Sequence, residues 1–353
     1  MSKLEKLREA IAEQGLDALI ITNPYNRRYI SGFTGTAGQV LLTQDDQVFI
    51  TDFRYIEQAN KQAVGFEIVE HKQSIIKELA EQIKKRKLIK VGFEQDDLTY
   101  SVYKQYSDAI DATLVPTSGI VEEIRMIKTE EELAIMYKAA EISDLAYDHI
   151  LKTVVPGMTE IDISNELEFE MRKHGATSSS FDIIVASGHR SALPHGVATE
   201  KKIQAGELVT LDFGALYQGY CSDITRTFAV GQISDQLEEI YNIVLEAHLR
   251  GLAEIKPGMT GKEADAFSRD YIKEKGYGDY FGHGTGHGLG LEVHEQPRLS
   301  PVGAIVLKEN MVVTVEPGIY VPNLGGCRIE DDLVITSDGN KSLNKAPKEL
   351  IIV

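Results

Sequence analysis

The sequence predicts an α/β N-terminal domain followed by a larger α+β domain built as an internal duplication with a pseudo-twofold. Three observations predict it. The chain has 353 residues, and at ~150 residues per domain that makes two domains or three. Helical and strand periodicities alternate over the first 125 residues. Beyond that point one tetrapeptide, PGMT, occurs twice, at 156–159 and 257–260, with further matches following each copy in the same order.

The N-terminal elements follow in order. Residues 3–14 carry a helical pattern, DALIIT (17–22) reads as a strand, and QVLLTQDDQVFIT (39–51) reads as a hairpin turning at Asp45-Asp46. Between them NPYNRRYISGF (23–33) reads as a turn and a helix start. A helix near 54–63, a strand at 66–70, a helix at 74–86, a strand at 89–93 and a helix near 98–110 complete the first domain. The boundary is expected near 125, giving domains 1–125 and 126–353. A long helix begins just after it, because Thr129 and Glu132 have capping-box spacing and Leu133, Met136, Tyr137 and Ala140 recur as a helical stripe.

Each PGMT opens a helix, with Thr159/Asp162 and Thr260/Glu263 at capping spacing, and each helix ends near a glycine, Gly175 or Gly276. Downstream, VTLDFG (209–214) aligns with VTVEPG (313–318), and each is followed by a second strand carrying an acid, Asp223 or Glu330. Three ordered matches define a duplicated unit whose halves meet at a site.

Composition narrows the function. Acidic residues outnumber basic ones 54 to 37, a net charge of −17, so the basic footprint of a nucleic-acid or anionic-membrane surface is missing. No run reaches the ~18 apolar residues of a membrane span, and MSKLEKLREAIAEQG has no secretory apolar core. Two cysteines, Cys221 and Cys327, make no disulfide framework and are expected as small buried apolar residues in a reducing, cytoplasmic setting.

The chemistry lies in the acidic hairpins. Asp212 and Asp223 are symmetric about 217/218, and Glu316 and Glu330 about Asn323, so each pair is expected to face across two strands. One Asp on a strand is usually a solvated surface acid. Two related pairs in strands this apolar repel and are poorly solvated unless positive charge sits between them. Four carboxylates around one pocket suit two divalent cations ~3.5–4 Å apart. The adjoining motif GHGTGHGLG (282–290) places glycine at every second position, where another backbone can approach, and His283 and His287 on the other face, with His294 following. It is not a helix-opening GxGxxG, which disfavours nucleotide binding, and interleaved histidine is foreign to a flexible linker. Four of nine histidines, 195, 283, 287 and 294, lie in or beside these motifs. An oxygen-rich set with one imidazole suits Mn²⁺ and related hard ions rather than a thiolate zinc site.

These motifs, LDFG…SDITRTF, GHGTGHGLGLEVHE, TVEPGIY and RIEDD, resemble the metallopeptidases of the pita-bread fold, and within them the proline-specific branch of Xaa-Pro dipeptidases (prolidases) and Xaa-Pro aminopeptidases. YISGFTG and TDFRYIEQA resemble that branch's N-terminal domain, which methionine aminopeptidases lack. The resemblance implies Asp212 as ligand to one metal, Asp223 and Glu330 as bridging ligands, and His287 and Glu316 as ligands to the other. It implies Glu316 as general base and then acid, His294 as oxyanion stabiliser, His195 as a substrate-side histidine, His283 beside the site, Arg328 as a brace for the carboxylates, and Arg298 as holder of a dipeptide's free carboxylate. Tyr320 joins His195 as a candidate wall of a proline pocket.

The function so implied is metal-dependent hydrolysis of the bond before proline, first in Xaa-Pro dipeptides and alternatively, as an aminopeptidase, in longer peptides. The expected cofactors are two divalent ions per chain, Mn²⁺ first and Co²⁺ or Fe²⁺ as alternatives. The expected partners are small proline-containing peptides and a second copy in a homodimer. A catalytically inactive binding module on the same fold is the reading from another class, and the presence of every ligand residue opposes it.

Overall fold

The structure, a computed structural model, describes residues 1–353 and divides into two compact units, Met1–Arg125 and Met126–Val353. The first is a six-stranded mixed sheet in the order Glu67–Glu70, Gln47–Thr51, Gln39–Thr43, Ala18–Ile21, Lys90–Glu94, Thr113–Thr117. Ala18–Ile21 pairs antiparallel with Gln39–Thr43 on one side and parallel with Lys90–Glu94 on the other. All four of its residues are buried, as a central strand covered on both faces must be. Helix Ile75–Lys85 buries Leu79 and Ile83 in a core with Leu41, Val48 and Val91. The edge strand Thr113–Thr117 escapes the pattern reading because it is short, half exposed and contains Pro116, which only an edge position tolerates. Helix Ile120–Met126, which ends at the unit boundary, also went unforeseen.

The second unit realises the repeat in detail. Helices Glu160–Lys173 and Gly261–Glu274 both start from capping boxes, Thr159 with Asp162 and Thr260 with Glu263. The PGMT glycines, Gly157 and Gly258, both have left-handed φ, 98° and 89°, and their amides bond the carbonyls of Ile203 and Leu307. Each cap threonine then forms an isolated antiparallel bridge within its own half, Thr159 to Lys202 and Thr260 to Val306. One half carries the antiparallel strands Ile184–Ser187, Glu207–Phe213 and Ile224–Val230, the other a five-stranded sheet around Val312–Val315 and Asp331–Ile335.

Alternation along these strands separates core from site. Val209, Leu211 and Phe213 pack with Ile142, Tyr147, Ile163 and Leu167 from the long helices, while Asp212, between Leu211 and Phe213, points the other way. Val313, Val315 and Leu333 do the same in the second half against Ile255, Ala264 and Leu307. The helix Glu130–Thr153 has the capping box at Thr129 and Glu132. No helix is long and apolar enough to cross a membrane.

Candidate metal centre

Two hairpins deliver the four acids, and they do so differently. In the first, Asp212 lies opposite Thr225, not Asp223. The strand Glu207–Phe213 runs on into a small hairpin, Ala215–Tyr217 with Tyr220–Cys221, which turns at Gln218-Gly219 with φ of 47° and 83°. Two positive φ values in a two-residue loop match the right-handed strand twist, and Gly219 fits the second of them. The mirror point therefore falls at 218/219, one residue beyond the expected 217/218, which corrects the facing of the first pair. Asp223 sits two residues from Thr225, so it shares the face of Asp212 as its diagonal neighbour. In the second hairpin the ladder pairs Val315 with Asp331 and Gly318 with Arg328 about Asn323, which sets Glu316 opposite Glu330.

The glycine-rich segment is a true strand only over Gly286–Gly288, shorter than the extended run expected for 282–290. Its glycines still answer to close backbone approach. A Cβ on Gly286 would lie 1.9 Å from the Thr314 carbonyl oxygen and one on Gly288 2.1 Å from that of Gln296, while one on Gly282 would meet nothing. His287 thereby comes within reach of both hairpins. It pairs with Arg298 in register, and a bulge follows that sets Gly288 opposite Glu295.

The donor atoms converge. One donor atom each from Asp223, His287 and Glu330 lie within 4.8 Å of one another. His287 Nε2 stands 3.7 Å from Asp223 Oδ2 and 3.4 Å from Glu316 Oε1. Its Nδ1 is 3.1 Å from the Gly288 carbonyl, which makes Nδ1 the donor and leaves the Nε2 lone pair aimed at carboxylate oxygens. Burial, and then His294, hold His287 down to about 4, so it is neutral. Asp212 accepts from Arg328 Nη2 at 2.5 Å, and Glu330 accepts from Thr225 Oγ1 at 2.6 Å. Three buried oxygens, Asp212 Oδ1, Asp223 Oδ1 and Glu330 Oε1, have no hydrogen-bond partner. Burial first, then the neighbouring carboxylates, pushes Asp223 and Glu330 well above the ordinary carboxyl range and Glu316 up to about 8.

This is the signature of a site that fits divalent cations. A buried carboxylate oxygen without a donor is costly, and a lone pair facing carboxylates is repulsive, unless a cation stands between them. Donors ~2.1 Å from one octahedral cation lie about 3–4 Å apart, the separation found here. Four carboxylates face a single guanidinium, Arg328, so two dications leave the charge near balance.

Around this set Arg328 forms a chain. It donates to Asp212, to the Tyr320 hydroxyl at 2.8 Å, to Thr225 Oγ1 at 3.1 Å and to the Pro194 carbonyl at 3.2 Å. Tyr320 in turn lies 2.8 Å from His283 Nε2, and His283 Nδ1 lies 2.8 Å from the Gly284 carbonyl. Tyr320 is buried over Gly318 and Gly326, where a Cβ would approach its ring and hydroxyl at 2.4–3.1 Å. His294 lies against His287 with ring centroids 4.3 Å apart and planes tilted by 56°, and partial desolvation lowers its pKa. His195, His294 and Arg298 are exposed, lying at the solvent side rather than among the buried acids. Three contributors were missed. Thr225 bonds Glu330, Thr314 lies 3.4 Å from Glu316, and Asp332 Oδ2 accepts the Asp223 amide at 3.0 Å. Each lies on a strand two residues from an acid just beyond that strand's end, so face parity alone could have found them.

Comparison with known proteins agrees with this geometry. Residues 134–337 match the model of metallopeptidase family M24 and residues 3–127 that of the creatinase/prolidase N-terminal domain. The chain belongs to metallopeptidase family M24: it is a peptidase with a creatinase-type N-terminal domain and a pita-bread catalytic domain, in a family that works with divalent metal ions. It is similar to the Xaa-Pro dipeptidase of Pyrococcus furiosus, 41% identical over 99% of both chains. Its structure resembles that of an Xaa-Pro dipeptidase from Bacillus anthracis, with 62% identity, TM-score 0.98 and 99% of both chains covered. It also resembles an X-Pro aminopeptidase from Thermotoga maritima, with 40% identity, TM-score 0.92, and 98% of this chain and all of that one covered.

Proposed function

We propose that this chain hydrolyses the peptide bond before proline in Xaa-Pro dipeptides, with two Mn²⁺ ions per chain, in the cytoplasm and as a homodimer. The observation that carries the reading is the buried convergence of Asp223, His287 and Glu330 with carboxylate oxygens left unpartnered, in a chain whose curated and structural relatives include Xaa-Pro dipeptidases. Asp212 would hold one ion, His287 and Glu316 the other, and Asp223 and Glu330 both. Bound there, two divalent cations supply Lewis acidity, lowering the pKa of a water and polarising a carbonyl oxygen.

The chain's own residues do the rest. Glu316 takes the proton of the attacking water and returns it to the proline nitrogen as the C–N bond breaks, a base and then an acid. His294 donates a hydrogen bond to the developing oxyanion from its place against His287. Arg328 orients Asp212 through its 2.5 Å bond. The proline nitrogen of the substrate carries no N–H, so the site needs no acceptor there. Tyr320 and His283, tied to each other, give the ring a rigid wall together with His195. Arg298, in register with His287 and exposed, would hold a substrate's free carboxylate.

The test is hydrolysis of Ala-Pro and Ala-Pro-Ala by metal-stripped protein with and without Mn²⁺. Metal-dependent cleavage of Ala-Pro is the expected result. Cleavage of Ala-Pro-Ala alone would replace this reading with an Xaa-Pro aminopeptidase, the activity named for the Thermotoga maritima relative.

A further inference from the structure

Arg226 is the largest fully buried side chain of the protein, and the metal reading assigns it nothing. It follows Thr225, so its side chain leaves the strand on the face away from the acids. A guanidinium offers five N–H donors, and here five acceptors meet them. Nε donates to the Pro347 carbonyl at 2.9 Å. Nη1 donates to the carbonyls of Thr225 at 3.0 Å and Glu330 at 2.5 Å. Nη2 donates to Asp331 Oδ1 at 2.7 Å and to the Ala346 carbonyl at 2.9 Å.

Two of those acceptors belong to the backbones that carry metal ligands. Thr225 lies two residues past Asp223, and Glu330 is itself a ligand candidate. On the site face the same two residues are joined again, by the Glu330 amide to the Thr225 carbonyl at 3.1 Å and by Thr225 Oγ1 to Glu330 Oε2 at 2.6 Å. The remaining acceptors tie this crossing to the C-terminal segment. Lys348 Nζ stands 2.8 Å from Asp331 Oδ2, which also accepts from Ser342 Oγ. Asn344 Oδ1 accepts the Asp332 amide at 2.8 Å, and Asp332 in turn accepts the Asp223 amide. From the helix Asp235–Glu254, buried His248 places Nδ1 3.0 Å from the carbonyl of Val315, the residue before Glu316.

We propose that Arg226 is a positioning residue of the metal centre, and that residues 344–348 are a working part of that centre's support. The proposal rests on the reading of Asp223 and Glu330 as metal ligands. Arg226 locks the two ligand-bearing strands in one register from behind, and the C-terminal segment completes the lock by supplying two carbonyls to Arg226 and one ammonium to Asp331. Lysine in place of Arg226 keeps the charge but has three donors and no fork, so at least two of the five contacts are lost.

The test uses full-length protein, stripped and titrated with Co²⁺, whose visible absorption reports ligand geometry. Arg226→Lys is expected to weaken cobalt binding about 10–100-fold, as loss of groups supporting ligands does elsewhere, with a changed visible band and a fall in kcat for Ala-Pro at unchanged KM. Lys348→Met is expected to weaken binding several-fold with the band altered in the same direction, and Lys348→Arg to restore both. Wild-type cobalt affinity and spectrum in folded Arg226→Lys would overturn the proposal. If that variant does not fold, wild-type behaviour of Lys348→Met overturns it instead. Wild-type protein that takes up no cobalt would overturn the metal reading itself, a result distinct from uptake that the variants leave unaltered.

Discussion

The two acid-bearing hairpins have one ancestry in the repeat and two geometries in the fold. In the second, the turn about Asn323 keeps one register from Val312 to Ile335, and Glu316 faces Glu330 directly. In the first, the extra small hairpin and its Gln218-Gly219 turn shift the mirror point, and Asp223 becomes a diagonal neighbour of Asp212. The environments differ with the register. Asp212 is gripped by Arg328, whereas Glu316 has no guanidinium bonded to it and burial raises it to about 8. A duplicated unit therefore yields one acid fixed by a guanidinium and one whose hydrogen-bond donor is the Thr314 hydroxyl, and the proposed base is the second.

Substitutions sharpen that comparison in descending order of effect. Asp223→Asn removes the diagonal acid that serves both ions, and kcat/KM for Ala-Pro is expected to fall by more than the ~100-fold typical of groups that only support ligands. Elemental analysis should then find fewer than two metals per chain, and retained two-metal stoichiometry would break the assignment. Glu316→Gln keeps the size of the side chain opposite Glu330 but not its basicity. A loss of about 10²–10⁴ in kcat is expected, and an unchanged kcat would show that the two hairpins are not divided as described. His294→Ala should lower kcat by about 10²–10³ with metal content intact. Loss of metal in that variant would move His294 from the oxyanion to the ligand set. Arg298→Ala should raise KM for dipeptides roughly ten-fold, the worth of one hydrogen bond to a charged group, and raise it less for tripeptides. Equal changes would remove its carboxylate role.

Much of this site was legible in the sequence because its signals are local. Alternating glycines meet backbone oxygens at Gly286 and Gly288, and the repeated PGMT caps two equivalent helices. The reflection of Glu316 on Glu330 was readable because the turn residues lie symmetrically about Asn323. The first hairpin misled by one residue, since its two-residue turn needs positive φ at both centres and Gly219 supplies the second, which sets the mirror point at 218/219 rather than 217/218. What stayed hidden is long-range. Arg226 reads as one more charge in SDITRTF until the C-terminal carbonyls 346 and 347 are brought to it. Burial of Asp331 beside Lys348 likewise depends on contacts between distant segments. Strand Thr113–Thr117 and helix Ile120–Met126 lacked periodicity strong enough to name.

The smallest expected effect is on stability. In metal-free protein Glu316 titrates near 8, and Asp223 and Glu330 are raised in the same direction. Between the ordinary carboxyl value of 4.5 and about 8 the folded state therefore holds more protons than the unfolded chain, so stability falls as pH rises. His283 and His287, both down near 4 through burial, oppose this only below their ordinary 6.5. From pH 6.5 to 8 the melting temperature of stripped protein should drop while that of Mn²⁺-loaded protein holds, and a gap that does not widen would contradict the placement of cations among these carboxylates.

The measurement closest to the central claim is the count of Mn²⁺ bound per chain when stripped protein is reloaded and freed of excess metal. Two ions per chain, bound with release of protons from the buried carboxylates, is the result this account predicts. Fewer than two ions, or hydrolysis of Ala-Pro by protein holding none, would contradict it.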